Sequence, residues 1–527
     1  MNLGSALGRC GFVEVGCLAF VSLMFLLFPI FFINNFYFNL NIAKFWFFIG
    51  CEMFLVVWTL FGYFRRENQG KIKQNFKVLK SDFAVVGLLL ISLISGFFSE
   101  CFPHTFFGVI HRYNGLFIII LYSVMYFIMT RFLEHCFKEI FLLLAISSFC
   151  AYLLGALNCF GIDPLGAFNA VSCEQKGVFI STIGNRNFFS TFVCISLPVF
   201  LVMFCKLKSR IYVAIYAVVA AFGCFALYCS NTDSGFLGVF LAFAVLSLFS
   251  IENLSCFRRY MICVFMMVCC GMIFCHISRL VWGPGAIYSH ILRRLNDHFI
   301  LIFIATFIFT LIMLTFVRPF SKIIENNIKR IRFAIFFGYI FLIAVLIFLF
   351  VYYSFISNDS CQDGFRKYFR FSESWGSNRG VAWISLIFAM FKFNFFQIFF
   401  GFGPDTVSFI FSKYYSEQIQ SGQLPKFDSA HNEYLQYLVT DGVLGLLMYI
   451  FLVGTVLYYG FKMACKSEAA LACVLSALCY CVQGIFNISM ISTTPLFFLM
   501  LTLIVAEYRN SPKGSAQTLP PKSILEK

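Results

Sequence analysis

Residues 333–353 read FAIFFGYIFLIAVLIFLFVYY, without a charged residue or a proline. An α-helix rises about 1.5 Å per residue, so this block is long enough to cross a hydrocarbon layer of roughly 30 Å. No water is available there for backbone amides, so the block must be helical. It is apolar on every side, which suits lipid rather than a water-facing helix. Residues 299–317 form a second such block just upstream. Working outward, further blocks fall at about 11–33, 42–63, 83–98, 116–130, 140–157, 188–204, 212–229, 235–250, 261–277, 438–459, 469–488 and 495–507. The reading is an all-α polytopic membrane protein with about 12–14 transmembrane helices and one large extracytoplasmic loop.

The composition agrees. Of 527 residues, 61% are hydrophobic and 12% are charged, against a usual charged share of about 25% in soluble domains. The 76 phenylalanines are read as lipid-facing and packing bulk. The first block is long for a signal peptide, and Asn34-Asn35-Phe36 follows it rather than a small-residue cleavage site, so it is read as an uncleaved span. The 22 cysteines show no repeated metal spacing. Most sit in apolar blocks as small packing residues, while Cys101, Cys159, Cys173 and Cys361 fall in loops where pairing is open.

Charge sets the expected topology. With the N-terminus inside, the inner segments hold 25 Lys and Arg and the short outer loops hold 6, which by the positive-inside rule places both termini in the cytoplasm. The net charge of +15 is mostly this signal and does not indicate nucleic-acid binding. Residues 381–400 are apolar enough to resemble a span, but Lys392 lies near their middle. A mid-bilayer Lys costs about 2.5–3.5 kcal/mol, so this segment is read as an amphipathic helix on the outer membrane face. The expected division is a bundle at 1–353, an outer loop at 354–437, closing spans at 438–507 and a disordered tail at 508–527.

Polar groups able to do chemistry concentrate in the outer loops. The large loop carries Arg366, Lys367, Arg370, Arg379, Asp405, Asp428, His431 and Glu433. His431 stands just before a membrane helix, and an imidazole with a pKa of about 6.5 suits a general base in acyl, phosphoryl or glycosyl transfer. Asp428, His431 and Glu433 offer metal-ligand types, but without a second nearby His the expectation is no metal and no cofactor. Arg112 and Arg186, each beside a helix end, suit anion binding or interfacial anchoring. Two acids fall within spans: Glu14 in the first and Glu52 in the second. An intramembrane acid is a functional candidate, either a proton relay or a protonated packing residue.

The order of these elements resembles the O-antigen ligase and polysaccharide polymerase superfamily. The likeness rests on Gly184-Asn185-Arg186-Asn187 entering a helix and on the turn Thr232-Asp233-Ser234-Gly235. It continues with Arg379 and Trp383 opening an amphipathic helix, then Gly401-Phe402-Gly403-Pro404, then His431-Asn432 with Leu435, Gly442 and Gly445. Arg112-Tyr113-Asn114-Gly115-Leu116 and Ile162-Asp163-Pro164-Leu165-Gly166 resemble a Gram-positive branch. The resemblance covers roughly residues 80–505. It implies a bacterial plasma-membrane glycosyltransferase, inverting and metal-independent. Such an enzyme moves glycan from an undecaprenyl-diphosphate-linked donor to a glycan, lipid or protein acceptor. It implies His431 and Arg379 as catalytic groups, with Arg112, Arg186, Asn185, Asn187, Asn432 and Asp233 binding substrate. One departure stands out: many members carry an Arg in the Ser/Thr-rich turn, where this chain has Asp233-Ser234-Gly235. Arg186 or Arg112 then substitutes, or the donor differs. The rival reading is a transporter or flippase of lipid-linked glycans using Glu52, although the internal repeat usual in transporters is not evident.

Overall fold

The computed structural model describes residues 10–33, 36–65, 78–134, 138–172, 175–283, 288–357 and 369–511. Arg366, Lys367, Cys173, Cys361 and the tail after Ser511 lie outside these residues. The bundle opens with α1 (Phe12–Leu26), α2 (Phe36–Phe64), α3 (Lys80–Phe97), α4 (Leu116–Phe132) and α5 (Phe141–Cys159). It continues with α6 (Arg186–Lys206), α7 (Arg210–Ser230), α8 (Asp233–Ser250) and α9 (Leu254–Trp282), and then the long α10 (His290–Val351). The large loop folds into α11 (Trp375–Met390), α12 (Phe395–Phe400), α13 (Val407–Tyr414) and α14 (Glu433–Thr440). The chain returns through α15 (Gly442–Ala464), α16 (Glu468–Gly484) and α17 (Thr494–Asn510). Among the described residues the only sheet is a two-stranded hairpin, β1 (Phe179–Ile180) and β2 (Gly184–Asn185).

Among the described residues eleven helical spans are long and apolar enough to cross a membrane, and α4 and α16 are shorter apolar helices. This is a multi-pass helical membrane protein. Helix α6 is its axis: every residue from Phe189 to Cys205 is buried, and α5, α7, α8, α9 and α16 pack around it. The stretch 333–353 is the opposite case. The span Asn327–Ile356 has mean hydropathy 3.0 and none of it is buried within the protein, so the solvent for these side chains is lipid.

Buried contacts sort the helix ends into two faces. On one face Asp82 accepts from Leu79 N (2.9 Å), Tyr126 Oη (2.8 Å), Arg131 Nη2 (2.9 Å) and Arg509 Nη2 (3.1 Å), joining the ends of α3, α4 and α17. Glu252 there pairs with Lys206 (3.4 Å) and Arg332 (2.5 Å). These are segments whose Lys and Arg marked them as one side in the sequence. Segments read as the other side meet each other at the opposite end, which we call the site face. Asn41 Nδ2 donates to the His111 carbonyl (2.7 Å), and Arg186 Nη1 donates to the Cys229 carbonyl (3.0 Å).

Three details depart from the sequence reading. The blocks 299–317 and 333–353 lie within one continuous helix, α10. The polar stretch between them holds the helix formers Lys322, Glu325, Lys329 and Arg330, and it stays helical even across Pro319. Phe299 approaches Gly271 and Tyr228, and Phe303 and Phe307 meet Phe265. Arg332 then reaches Glu252, and Phe350 meets Trp375 on the site face. Residues 381–400 are not one amphipathic helix but parts of α11 and α12. Asn394 starts α12 by a reciprocal cap: its Oδ1 accepts from Gln397 N (2.8 Å), and Gln397 Oε1 accepts from Asn394 N (3.2 Å). Lys44, which the span reading passed over, is fully buried. Its Nζ donates to the Phe28 and Pro29 carbonyls (2.6 and 3.1 Å), closing the end of the first span.

The cysteines read as packing residues form no disulfide among the described residues, and Cys473 and Cys479 are buried. Cys101 and Cys159 form none either. Glu14 accepts from Glu134 N at 3.0 Å. Glu52 is buried, and neither carboxyl oxygen has a hydrogen-bond partner among the described residues.

Candidate functional site

The site is assembled where the folded loop meets the α3–α4 connection. Two glycines make the junction. Gly401 (φ 83°) and Gly442 (φ 74°) let two backbones cross: a Cβ on Gly401 would lie 2.2 Å from the Thr440 carbonyl, and one on Gly442 2.3 Å from that of Phe399. The contact is then laced by Phe402 N to Val439 O (3.0 Å) and Gly403 N to Thr440 O (2.9 Å). Helix α3 grips it through Ser92 Oγ to Asp441 Oδ1 (2.6 Å) and Ser95 Oγ to Thr440 O (2.8 Å), and Ser99, just past the helix end, adds Ser99 Oγ to Phe402 O (2.6 Å). The Gly-x-Gly motif is therefore a structural joint, and it delivers Asp405 to the site.

Asp405 is buried with its backbone in the left-handed region (φ 58°). Its Oδ2 accepts from Val109 N at 2.8 Å. Its Oδ1 lies 3.8 Å from Arg112 Nε and has no hydrogen-bond partner among the described residues. Burial pushes the Asp405 carboxyl up to about 6, against the pull of Arg112. Arg112, 6% exposed, pairs at 2.5 Å through Nη2 with Asp428, while its Nη1 has no hydrogen-bond partner among the described residues. Despite partial burial, Asp428 is held below the usual carboxylate range by Arg112 and then by His431.

His431 also has a left-handed backbone (φ 48°). Such conformations persist only where the surroundings impose them. Here Ala430 is clamped on both sides: Trp383 Nε1 donates to its carbonyl (2.9 Å), and its N–H donates to Gln436 Oε1 (2.9 Å). Trp383 is itself packed edge-on against Trp375, with ring centroids 5.5 Å apart. Burial first, then the Arg379 and Arg112 charges, lower the His431 pKa to about 4, and Asp428 works the other way. The imidazole is thus neutral at pH 7. Arg379 donates to the Gly376 carbonyl at 3.3 Å and has no carboxylate ion pair among the described residues. Burial lowers its pKa and the Asp233 carboxylate, at the start of α8, opposes this.

The sequence candidates divide into groups. His431, Arg379, Arg112 and Asp233 share one electrostatic neighbourhood. Asn185 and Asn432 use their side-chain oxygens as helix caps, accepting from Asn187 N (2.8 Å) and Leu435 N (2.9 Å). The Asn187 carbonyl is held by Gln483 and Asn487, at 3.1 and 3.2 Å. Arg186 spends its Nε and Nη1 on the Gly177 and Cys229 carbonyls. Asp428, His431 and Glu433 do not converge as a ligand set. Asp428 turns to Arg112, while Glu433 turns into the bundle and accepts from Tyr449 Oη at 2.8 Å. The sequence reading does not place Asp405, Trp383 or Gln436 in the site. Trp383 lies in a motif that carries the family resemblance and Asp405 among the charged groups of the large loop, whereas nothing in the sequence marks Gln436.

Fold and site together define a polytopic membrane protein with a charged centre of arginines, aspartates and a histidine at one end of the bundle. Residues 299–450 match the family model described as O-antigen ligase (Wzy_C). Over that segment the chain is similar to the O-antigen ligase superfamily, whose members are enzymes that act on lipid-linked glycans. No curated protein matches the chain. The matched segment includes Arg379, Trp383, Asp405, Asp428, His431 and Gln436. Arg112 and Asp233 lie outside it.

Proposed function

We propose that this protein transfers glycan from an undecaprenyl-diphosphate-linked donor to an acceptor hydroxyl on a glycan, lipid or protein. The reaction takes place at the outer face of the bacterial cytoplasmic membrane, with both termini inside. The observation that carries this reading is a neutral imidazole, His431, within the electrostatic reach of an Arg379 without a carboxylate ion pair among the described residues and of an Arg112-paired Asp428. Arg379 is the group for the donor diphosphate, because no such carboxylate engages its planar fork. His431 takes the acceptor hydroxyl proton as the acceptor oxygen bonds to the sugar anomeric carbon. The bond from that carbon to the phosphate oxygen breaks, and the diphosphate leaves with the electron pair. Displacement from the face opposite the leaving group inverts the anomeric centre. The diphosphate is already a good leaving group, so fixed cations suffice to hold its charge. The outer-face assignment is supported by the Lys/Arg bias of the opposite face.

The test is consumption of a lipid-diphosphate-linked oligosaccharide by purified full-length protein with its acceptor. His431→Ala is expected to lower transfer by about 10²–10⁴-fold, and Arg379→Lys to weaken donor use. A chelator is expected to leave the wild type unchanged. Normal transfer by His431→Ala sinks the base assignment, and loss of transfer on chelation sinks the metal-independent route.

A further inference from the structure

Arg112 Nη1, Asp405 Oδ1 and Tyr122 Oη have no hydrogen-bond partner among the described residues, although these residues are only 6%, 4% and 6% exposed. Buried polar groups in native proteins are nearly always paired. All three residues line one cavity, between α4, α14 and the α3–α4 connection. It leaves about 40 Å³ for the centres of water-sized groups, which at about 10–15 Å³ each is room for about three. Arg112 also reaches Asp428, whose side chain is 65% exposed, so the cavity lies just beneath the surface of the site face.

The lining decides the charge of what fits. The Arg112 guanidinium is already faced by Asp405 at 3.8 Å and Asp428 at 2.5 Å. Asp441 forms another wall, its oxygens accepting from Ser92 Oγ (2.6 Å) and Thr440 Oγ1 (2.8 Å). An anion such as a diphosphate would meet two aspartates and a guanidinium that is already shared. A cation would meet Arg112. An alkyl chain would leave the three polar groups as unpaired as before. A neutral hydroxyl suits them, because it both donates and accepts. Its oxygen accepts from Arg112 Nη1 and its hydrogen goes to Asp405 Oδ1, whose companion Oδ2 is committed to Val109 N at 2.8 Å. A neighbouring hydroxyl pairs with Tyr122 Oη. The two tyrosine walls are fixed by stacking, Tyr122 on Phe498 and Tyr437 on Tyr449, each with ring centroids 4.2 Å apart.

We propose that this cavity is a subsite for the hydroxyl edge of a neutral sugar residue, held by Arg112, Asp405 and Tyr122 while the rest of the ring stays at the mouth. The assignment rests on the glycan-transfer reading and gives Arg112 a sugar rather than the diphosphate. The same chemistry is presented by the end of an acceptor glycan and by the sugars of the donor.

The probes are methyl glycosides of neutral hexoses and their singly deoxygenated analogues. Binding to full-length protein in a sugar-free detergent is followed by saturation-transfer NMR. The wild type is expected to bind at least one glycoside and to lose it when the buried hydroxyl is replaced by hydrogen. Tyr122→Phe is expected to weaken binding about fivefold, and Arg112→Lys, which keeps the charge but not the planar fork, about tenfold or more. The deoxy series on the wild type decides the matter if a variant does not fold. In the transfer assay the bound glycoside should raise the apparent KM of one substrate. A raised acceptor KM assigns the subsite to the acceptor, and a raised donor KM assigns it to the donor sugar. Competition with neither, absence of glycoside binding, or deoxy analogues that bind as well as their parents overturns the subsite. His431→Ala should bind glycosides as the wild type does while losing transfer. Glycoside binding by a wild type that never transfers glycan sinks the transfer reading and leaves the subsite standing. Transfer without glycoside binding sinks the subsite alone.

Discussion

Alanine at Gly401 tests whether the crossing of two backbones is what builds the site. The native φ of 83° lies where an L side chain costs about 1 kcal/mol. The added Cβ would stand 2.2 Å from the Thr440 carbonyl carbon, and contacts below 3.0 Å essentially do not occur, so the segments must part by about 0.8 Å. That takes the bonds from Phe402 N and Gly403 N, now 3.0 and 2.9 Å, to about 3.7–3.8 Å, beyond hydrogen-bond length. Two lost bonds at about 1 kcal/mol each, added to the backbone term, give about 3 kcal/mol. Gly422 provides the control: its φ is 75°, but no heavy atom lies within 4 Å of the place a methyl group would take, so alanine there costs only about 1 kcal/mol. Both variants would be purified in detergent and their apparent unfolding midpoints compared by tryptophan fluorescence. Gly401→Ala should melt clearly below Gly422→Ala and should also lose transfer, because Asp405 follows directly from the joint. Equal midpoints would refute the reasoning.

Reporter fusions at Ser421 and Ser511 should read opposite sides of the membrane; signals from the same side reject the topology. Glu52→Gln should leave glycan transfer largely intact, and its loss at normal protein levels together with loss of lipid-linked glycan flipping would favour the transporter reading. Because neutral His431 is the working form, kcat/KM, which reports the free enzyme, should fall in acid only as pH drops through about 4. The bound donor diphosphate offsets the arginines that lower this pKa, so kcat should fall at a higher pH. Coincident acid limbs in pH–rate profiles would count against that coupling. Trp383→Phe removes the bond to the Ala430 carbonyl and should lower kcat by about tenfold, roughly the worth of one such bond; an unchanged kcat shows that the clamp does not set His431.

The bundle was legible in the sequence because lipid imposes a length and a polarity that can be counted. Block 333–353 needed no partner to be recognised, and none of its residues is buried within the protein. The Lys and Arg bias likewise sorted the segments that meet at each face. The continuity of α10 and the split of residues 381–400 were less legible. A polar stretch of good helix formers stays helical, and an Asn-Gln cap starts a new helix inside an apolar run. His431, Arg379 and Arg112 were found as unusual polar groups beside helix ends, but their relations were not. Val109 and Asp405 are 296 residues apart in sequence, and no local pattern announces that one caps the other. Asn185 and Asn432 show the reverse: their motif positions look like substrate contacts, while the local backbone already uses their oxygens as caps.

The division of labour between loop and bundle follows from these charges. The segment matched at 299–450 contains the imidazole and Arg379, yet the counter-charge of Asp428 comes from Arg112 and that facing Arg379 from Asp233. Without Arg112, buried Asp405 loses its cation and Asp428 loses its ion pair. Without Ser92, Ser95 and Ser99, the glycine joint loses three hydrogen bonds from α3 and the connection that follows it. The left-handed backbones of Asp405 and His431 are held only while these contacts exist. An excised loop therefore has no means of keeping the site geometry, even though it holds the candidate base. The site belongs to the whole bundle, and variation in the α3–α4 connection should tune transfer as strongly as variation within the loop itself.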